Sequence, residues 1–535
     1  MHSSRWAVMH ECPPPSPAPK PPATLPGRAP GGPLPWPAAV AVAFAVVQLA
    51  AVVPGSGLGW DETVYVSQVG GNAPPAFFSA PRARGISYLV APAAALTAST
   101  TALRIYLALL SAAALFAALR IWRKVLPTPV LAGAGALFAG LWPTLFYGPT
   151  AMPNLWCALG ALAATGWVAR ALHGTPGRAE TAGAGAAVAL VALMRPADGF
   201  WLALPTAVAA VLLPGRRLPG LCAAITGGLV VGCAPWAAEA YARYGGLVAR
   251  LHRAGEIQGG LGWNVAVDDH LRALAGRTLC RPCDIGWESP GTAVWWAALP
   301  FLVAGGIMSA RRAGRGATAL LATATGVSTA VPYLFLVEYA APRFLLPAYA
   351  LLAVPVAEHL VHLFARARTT RRPAVAVALA LALTAHLTVQ LSVLSHVMRT
   401  SRATSARFAS VAAELHRLGV RPPCVVSGDD AVPIAYYAGC ASRQTGGHDA
   451  ALTPEALLVL ARRVPTAVLA AEDAERPRGT DGARTVLPAP GRGSGPYVTY
   501  LLPGRVTGDR GLPERQDALS ATPPSSGPTR HRRER

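Results

Sequence analysis

The sequence predicts an α-helical polytopic membrane protein of about eleven spans, with a small extracytoplasmic α/β domain towards its C-terminal end. Three observations predict it. Of 535 residues, 53% are hydrophobic and only 14% are charged, too few charges to cover a soluble protein of this length. Apolar runs of roughly 18–23 residues recur along most of the chain, each long enough to cross a bilayer as a helix. Arginines cluster in the short segments between alternate runs, which is the positive-inside pattern. That pattern accounts for the net charge of +21 without a nucleic-acid partner, and the mean hydropathy of +0.37 agrees with it. The sequence has no P-loop pattern, so no built-in ATPase is visible.

Residues 1–35 are Pro-rich, with Pro13-Pro14-Pro15 and Pro21-Pro22, and are expected to be a disordered cytoplasmic segment. The first span, 36–54, follows Arg5, Lys20 and Arg28 and carries no clean cleavage site. The first outer loop, 55–100, ends in the semi-apolar segment 86–98, expected to lie at the interface. Spans are then expected at 101–121, 129–147 and 155–170. A helix pair over 181–213 is broken at Arg195-Pro196-Ala197-Asp198-Gly199. Later spans fall at 219–237, 292–309, 317–337, from Arg343 to near Arg366, and 374–397, with a second outer loop at 238–291. Residues 36–397 thus form a multi-pass domain of the cell membrane, with the N-terminus cytoplasmic and the C-terminal part outside.

Residues 398–505 change character. Helical periodicity over 403–418 and 454–464 alternates with strand-like 423–426, 466–470 and 497–502, which reads as an α/β domain. Residues 506–535 are polar, Pro- and Arg-rich, and are expected to be disordered. The eight cysteines divide by compartment. Cys157, Cys222 and Cys233 lie in apolar spans, and Cys12 in the N-terminal segment. Cys280, Cys283, Cys424 and Cys440 fall outside, where disulfides persist. Of the pairings open to them, Cys280–Cys283 and Cys424–Cys440 are favoured, although Cys280-Arg281-Pro282-Cys283 also fits a redox or half-zinc motif.

Polar residues gather at the outer membrane boundaries. They are Asp61, Glu62 and Tyr65, then Arg82 and Arg84, Tyr147 and Asn154, and Glu338, Tyr339 and Arg343, with Arg195 and Asp198 joining from the broken helix pair. A carboxylate pair and several guanidinium groups at one depth suit a substrate with a phosphate and a hydroxyl. Arginine forks take phosphate oxygens in pairs, and a carboxylate can accept the hydroxyl proton. Each residue also has a structural alternative. Arg82 and Arg84 can contact lipid headgroups, Arg343 can pair with Glu338, Asn154 can cap a helix, and Arg195 can pair with Asp198. Asp268-Asp269-His270 reads either as a metal site or as a solvated turn.

The motifs and their order resemble the GT-C glycosyltransferases, which include protein mannosyltransferase-like and aminoarabinose transferase-like enzymes. The matching residues are Asp61-Glu62 with Tyr65, then Arg82-Ala83-Arg84-Gly85 and Tyr88, Met152-Pro153-Asn154, Arg195-Pro196 and Arg343-Phe344-Leu345-Leu346-Pro347. Where several relatives have Lys-Pro-Pro, this chain has Arg82-Ala83-Arg84. The resemblance implies a GT-C-like membrane domain that moves a sugar from a polyprenyl-phosphate donor at the outer face. It implies membrane lipids as surroundings and a protein, lipid or cell-wall glycan as acceptor. It makes Asp61 the general base and Glu62 the residue that orients the acceptor or binds a divalent metal. No ligand set in the sequence demands that metal. Tyr65, Arg82, Arg84, Tyr88, Asn154, Arg195 and Arg343 are the implied donor-binding residues. The leaving group is already an anion, so fixed cations serve it better than a proton donor, and single displacement inverts the anomeric carbon. A transporter or lipid flippase would carry polar groups mid-span and on both faces. A non-catalytic scaffold would explain 398–505 but not the acidic pair.

Overall fold

The computed structural model describes residues 35–174, 177–212, 219–260, 262–281, 283, 286–471, 484–487 and 497–502. The expectations for 1–34, Cys12 and 506–535 lie outside the described residues. In chain order the helices begin with α1 (Pro35–Val47), continued by a π-helical turn to Val52, α2 (Trp60–Ser67), α3 (Gly85–Leu96) and α4 (Thr100–Trp122). They go on with α5 (Thr128–Ala139), α6 (Trp142–Tyr147), α7 (Pro153–His173), α8 (Arg178–Met194) and α9 (Pro196–Leu212). Next come α10 (Pro219–Arg243), α11 (Leu247–Ile257), α12 (Val267–Ala273), α13 (Val294–Arg312) and α14 (Gly316–Phe335). A 3-10 turn, Pro342–Leu345, leads into α15 (Leu346–Thr369), and α16 (Pro373–Arg417) follows. The last part holds α17 (Ala431–Ala438), α18 (Pro454–Ala461) and strands β1 (Val425–Gly428), β2 (Ala441–Ser442), β3 (Thr466–Ala471), β4 (Arg484–Leu487) and β5 (Tyr497–Leu502).

Among the described residues, eight helical stretches are long and apolar enough to cross a membrane: Pro35–Val52, Thr100–Trp122, Pro153–His173, Pro219–Arg243, Pro290–Arg312, Gly316–Phe335, Pro342–Thr369 and Pro373–Arg417. The expected count of about eleven also included shorter elements. The expected third span is two helices, α5 and α6, with Gly140 and Leu141 between them. The 181–213 pair is α8 and α9, of 17 residues each, and α3 is the short helix expected over 86–98. Small residues dominate α7, and α15 is similarly covered, so α4 and α8 pack against α7 while α5, α13 and α14 pack against α15.

The C-terminal sheet has the order β2-β1-β3-β5-β4. β1 pairs in parallel with β2 and β3, and β5 runs antiparallel to β3 and β4. α17 connects the parallel pair β1–β2 and packs with the end of α16 on one face, while α18 covers the other. The sequence reading missed α17, β2 and β4, of which β2 has two residues and β4 four, too short to show a period. It also ended the last span at 397 and began a new helix at 403. In the structure α16 runs through without a break, because no Gly or Pro interrupts Val397 to Ala403. Both favoured disulfides are present. Cys424–Cys440 ties the approaches to β1 and β2, with Cα atoms 4.8 Å apart. Cys280–Cys283, with Cα atoms 4.9 Å apart, closes a small loop whose Cys280 pairs with Ala340 through backbone bonds of 2.8 and 3.3 Å. That loop therefore braces the segment just before Arg343.

Candidate active site

The site begins at the N-terminus of α2, where Gly59 is the cap and Asp61 and Glu62 fall in the first turn. Carboxylates are favoured there by the exposed N–H groups and the helix dipole. Adjacent residues on a helix point about 100° apart, so the two acids diverge. Glu62 turns inward. It receives Arg104 Nη1 at 2.5 Å, Arg104 Nη2 at 2.8 Å, Ala151 N at 2.7 Å and Gly59 N at 3.0 Å. Arg104, 3% exposed, also donates to the carbonyls of Pro149, at 2.8 Å, and Gly57. Glu62 is therefore filled by protein donors and locks α2 to α4 and to the start of α7. These contacts occupy the oxygens through which it was expected to orient the acceptor or bind a metal. Asp61 and Glu62 do not converge on a cation, and among the described residues no group of three or more metal-ligating side chains is present.

This pair yields a stability prediction. Arg104→Ala leaves Glu62 as an uncompensated buried charge and should cost about 3–5 kcal/mol. The thermal unfolding midpoint of detergent-purified protein measures it. An unchanged midpoint would show that the pair does not hold the helices together.

Asp61 turns the other way and keeps 35% of its side chain exposed. Arg82 Nη2 lies 3.0 Å from its Oδ1, and Arg343 Nη2 lies 3.4 Å from its Oδ2. Burial works to raise the Asp61 pKa, but Arg82 and Arg343, with Arg195 behind them, outweigh it and hold the carboxyl below its ordinary value. Arg82 comes from a turn in which its N–H bonds Ser79 O and its Nε bonds Ser79 Oγ. Gly85 follows, pressed so closely to the end of α8 that a Cβ there would sit 2.6 Å from Leu193 O. Arg343 comes from the 3-10 turn opened by Pro342. Its Nη1 donates to Thr278 O at 2.8 Å and Tyr147 Oη at 3.3 Å. The paired alternative for Arg343, Glu338, is exposed and not its partner.

Arg195 stands at the break between α8 and α9. Its guanidinium lies over Tyr333 at 5.1 Å and Phe344 at 5.0 Å, and its Nε is 3.9 Å from Asp198. Tyr333 and Phe344 are stacked at 4.8 Å, and the Tyr333 hydroxyl donates to Asp198. Arg343 lies 5.2 Å from the same Phe344 ring. One ring thus carries two guanidinium groups, and Arg82 adds a third cation across Asp61. Three guanidiniums thus gather about the two carboxylates Asp61 and Asp198. Arg82 Nη1 is buried and has no hydrogen-bond partner among the described residues.

The remaining expected residues divide. Tyr65 is buried under Arg82, 5.4 Å from its guanidinium, and packs edge-on against Phe78. Asn154 lies in the first turn of α7, but the cap residue is Met152, so the expected capping role is corrected; Asn154 Nδ2 is buried with no partner among the described residues. Arg84 turns away from Asp61 to Glu239, at 2.6 Å, and Gln68, at 2.9 Å. Tyr88 is 52% exposed on α3 and outside the cluster. His270 belongs to α12 rather than to a solvated turn. Burial lowers its pKa to about 4, partly offset by its bond to Tyr333 O, so the neutral ring donates from Nε2 to that carbonyl at 3.2 Å.

Sequence reasoning missed Arg104 and the α17 side of the site. A lone arginine five residues into a span was a legible signal, because ionisable groups in the membrane need partners. The C-terminal domain reaches α2 through Tyr437, whose hydroxyl accepts from Leu58 N at 2.7 Å, and through Asp449, which accepts from Trp60 Nε1 at 3.2 Å. At Gly57 a Cβ would lie 2.4 Å from both Ser405 Cβ and Tyr437 Oη, so the chain passes there only without a side chain.

The fold is shared with solved structures of ArnT at low sequence identity. The chain is similar to ArnT from Cupriavidus metallidurans bound to undecaprenyl phosphate, with a TM-score of 0.64 at 13% identity, covering 88% of this chain and 99% of ArnT. For the apo state of ArnT the TM-score is 0.61 at 12% identity, with 89% and 98% covered. No protein-family model matches the sequence, and no curated protein matches it.

Proposed function

We propose that the protein is a glycosyltransferase that moves a sugar from a polyprenyl-phosphate donor to an acceptor hydroxyl, inverting the anomeric carbon in one displacement. The observation that carries this is the partly exposed Asp61 held between Arg82 and Arg343, with Arg195 behind. The fold shared with ArnT, whose structure holds undecaprenyl phosphate, supports the choice of donor class. In this reading the acceptor hydroxyl gives its proton to Asp61 while its oxygen bonds to the anomeric carbon. The bond from that carbon to the phosphate oxygen breaks, and its electron pair leaves with polyprenyl phosphate. Arg82 and Arg343 stabilise that anion, and Arg82 Nη1, without a hydrogen-bond partner among the described residues, offers a donor. The lowered pKa keeps Asp61 ionised, so it accepts the proton as the new bond forms rather than beforehand. In this reading Asp61 lies in an outer loop of the membrane domain 36–397, residues 398–505 are extracytoplasmic and the N-terminus is cytoplasmic, a topology the arginine distribution supports. Purified protein in liposomes, given a panel of undecaprenyl-phosphate monosaccharides, should release undecaprenyl phosphate from at least one. Turnover of none, together with no binding of undecaprenyl phosphate itself, would overturn the reading.

A further inference from the structure

The segment that carries Arg82 is gripped from one side at alternate carbonyls. The Tyr244 hydroxyl donates to Phe78 O at 2.6 Å. Trp236 Nε1, at 3.2 Å, and Arg250 Nε, at 3.0 Å, both donate to Ala80 O. Arg250 Nη2 donates to Arg82 O at 3.0 Å. The gripping residues come from the end of α10, the elbow after it, and α11. Arg250 is 0% exposed, and its guanidinium lies over Trp236 at 4.3 Å and Tyr244 at 4.8 Å. It also donates to Trp236 O at 2.7 Å and to Glu239 Oε2 at 3.0 Å. Glu239 Oε1 is taken by Arg84, so one carboxylate joins Arg250 to the far end of the Arg82 turn.

α11 buries Ala254 and Ile257 on the same side as Arg250. Its arginine at 250 faces inward, while Val248 and Leu251 are exposed at 82% and 53%. A buried ion pair of this kind is a poor source of stability compared with an apolar filling of similar size, but it fixes one geometry. What it fixes here is the backbone from Phe78 to Arg82.

We propose that Arg250, seated by Glu239, is the positioning residue for Arg82, so that the α10–α11 elbow sets the affinity for the donor phosphate. The proposal rests on the reading of Arg82 as a phosphate ligand. The elbow touches neither Asp61 nor Arg343 in the contacts described above, so its effect runs through Arg82. Arg250→Lys keeps the charge but cannot reach Ala80 O, Arg82 O, Trp236 O and Glu239 at once.

The test compares R82A, R250K and R82A/R250K in full-length protein in nanodiscs. Two quantities are read: binding of undecaprenyl phosphate, and amide hydrogen exchange over 78–84. R250K should weaken binding by roughly 10–100-fold, the worth of one hydrogen bond to a charged group. In the R82A background the same change should alter binding by no more than about twofold, because its route of action is gone. Exchange over 78–84 should rise in R250K while that of β1 and β3 stays unchanged. An equal loss of binding with and without Arg82, or unchanged exchange over 78–84, would overturn the proposal. If the wild-type protein binds no undecaprenyl phosphate, the functional reading fails and the exchange measurement alone decides whether Arg250 positions the turn.

Discussion

Asp61→Asn is expected to slow sugar transfer by roughly 10²–10⁴-fold, the range for loss of a positioned general base. The substitution nearly preserves shape, so the loss reports charge and proton acceptance rather than packing. Binding of undecaprenyl phosphate should survive, since Arg82 and Arg343 are untouched and are relieved of their competing carboxylate. The pH profile sharpens the test. Asp61 is held below its ordinary value of 3.8, so its ionised form prevails above that value and is lost only as pH falls through the lowered one. The kcat/KM of wild-type protein should therefore show no acid limb above about pH 5. Transfer by Asp61→Asn protein at the wild-type rate would remove Asp61 from the chemistry.

Arg343→Ala is expected to lower kcat by roughly 10²–10³-fold, the cost of removing one fixed donor to a developing anion. Arg343 is held at three points, by Thr278 O, Tyr147 Oη and Asp61, so its fork needs no rearrangement when the leaving phosphate gains charge. Arg343→Lys keeps the charge but loses the planar fork, and should recover only part of the rate. Steady-state kinetics on protein shown to be monodisperse separates this from misfolding. Full activity in Arg343→Ala would demote Arg343 to a partner of Asp61.

The membrane class was legible because bilayer thickness imposes run lengths and the arginines mark alternate ends. Asp61, Arg82, Arg195 and Arg343 were legible as polar groups at helix ends, and the structure brings these four together. Their neighbours were harder to sort. Asp61 and Glu62 look alike in sequence, and only the direction each takes from α2 separates an exposed carboxylate from a saturated one. Arg82 and Arg84 are equally alike, yet Glu239, 155 residues further on, claims Arg84. Arg250 was invisible because an arginine on a short amphipathic helix ordinarily faces water. In each case the deciding partner is remote in the chain, and no local pattern encodes it.

The unbroken α16 has a geometric consequence. Its 45 residues make a rod roughly 68 Å long, and each residue in such a rod turns the direction of everything beyond it by about 100°. Arg402, on this rod, donates to Ala51 O at 2.7 Å, and Ser405 lies against Gly57. The rod is thus keyed to the end of the first membrane helix at one azimuth. Adding or deleting a single residue between Val397 and Arg402 would swing the sheet away from Trp60 and carry Asp449 with it. The number of residues in that stretch therefore works as an angular setting, and it fixes which loop of the sheet meets Trp60, the neighbour of Asp61.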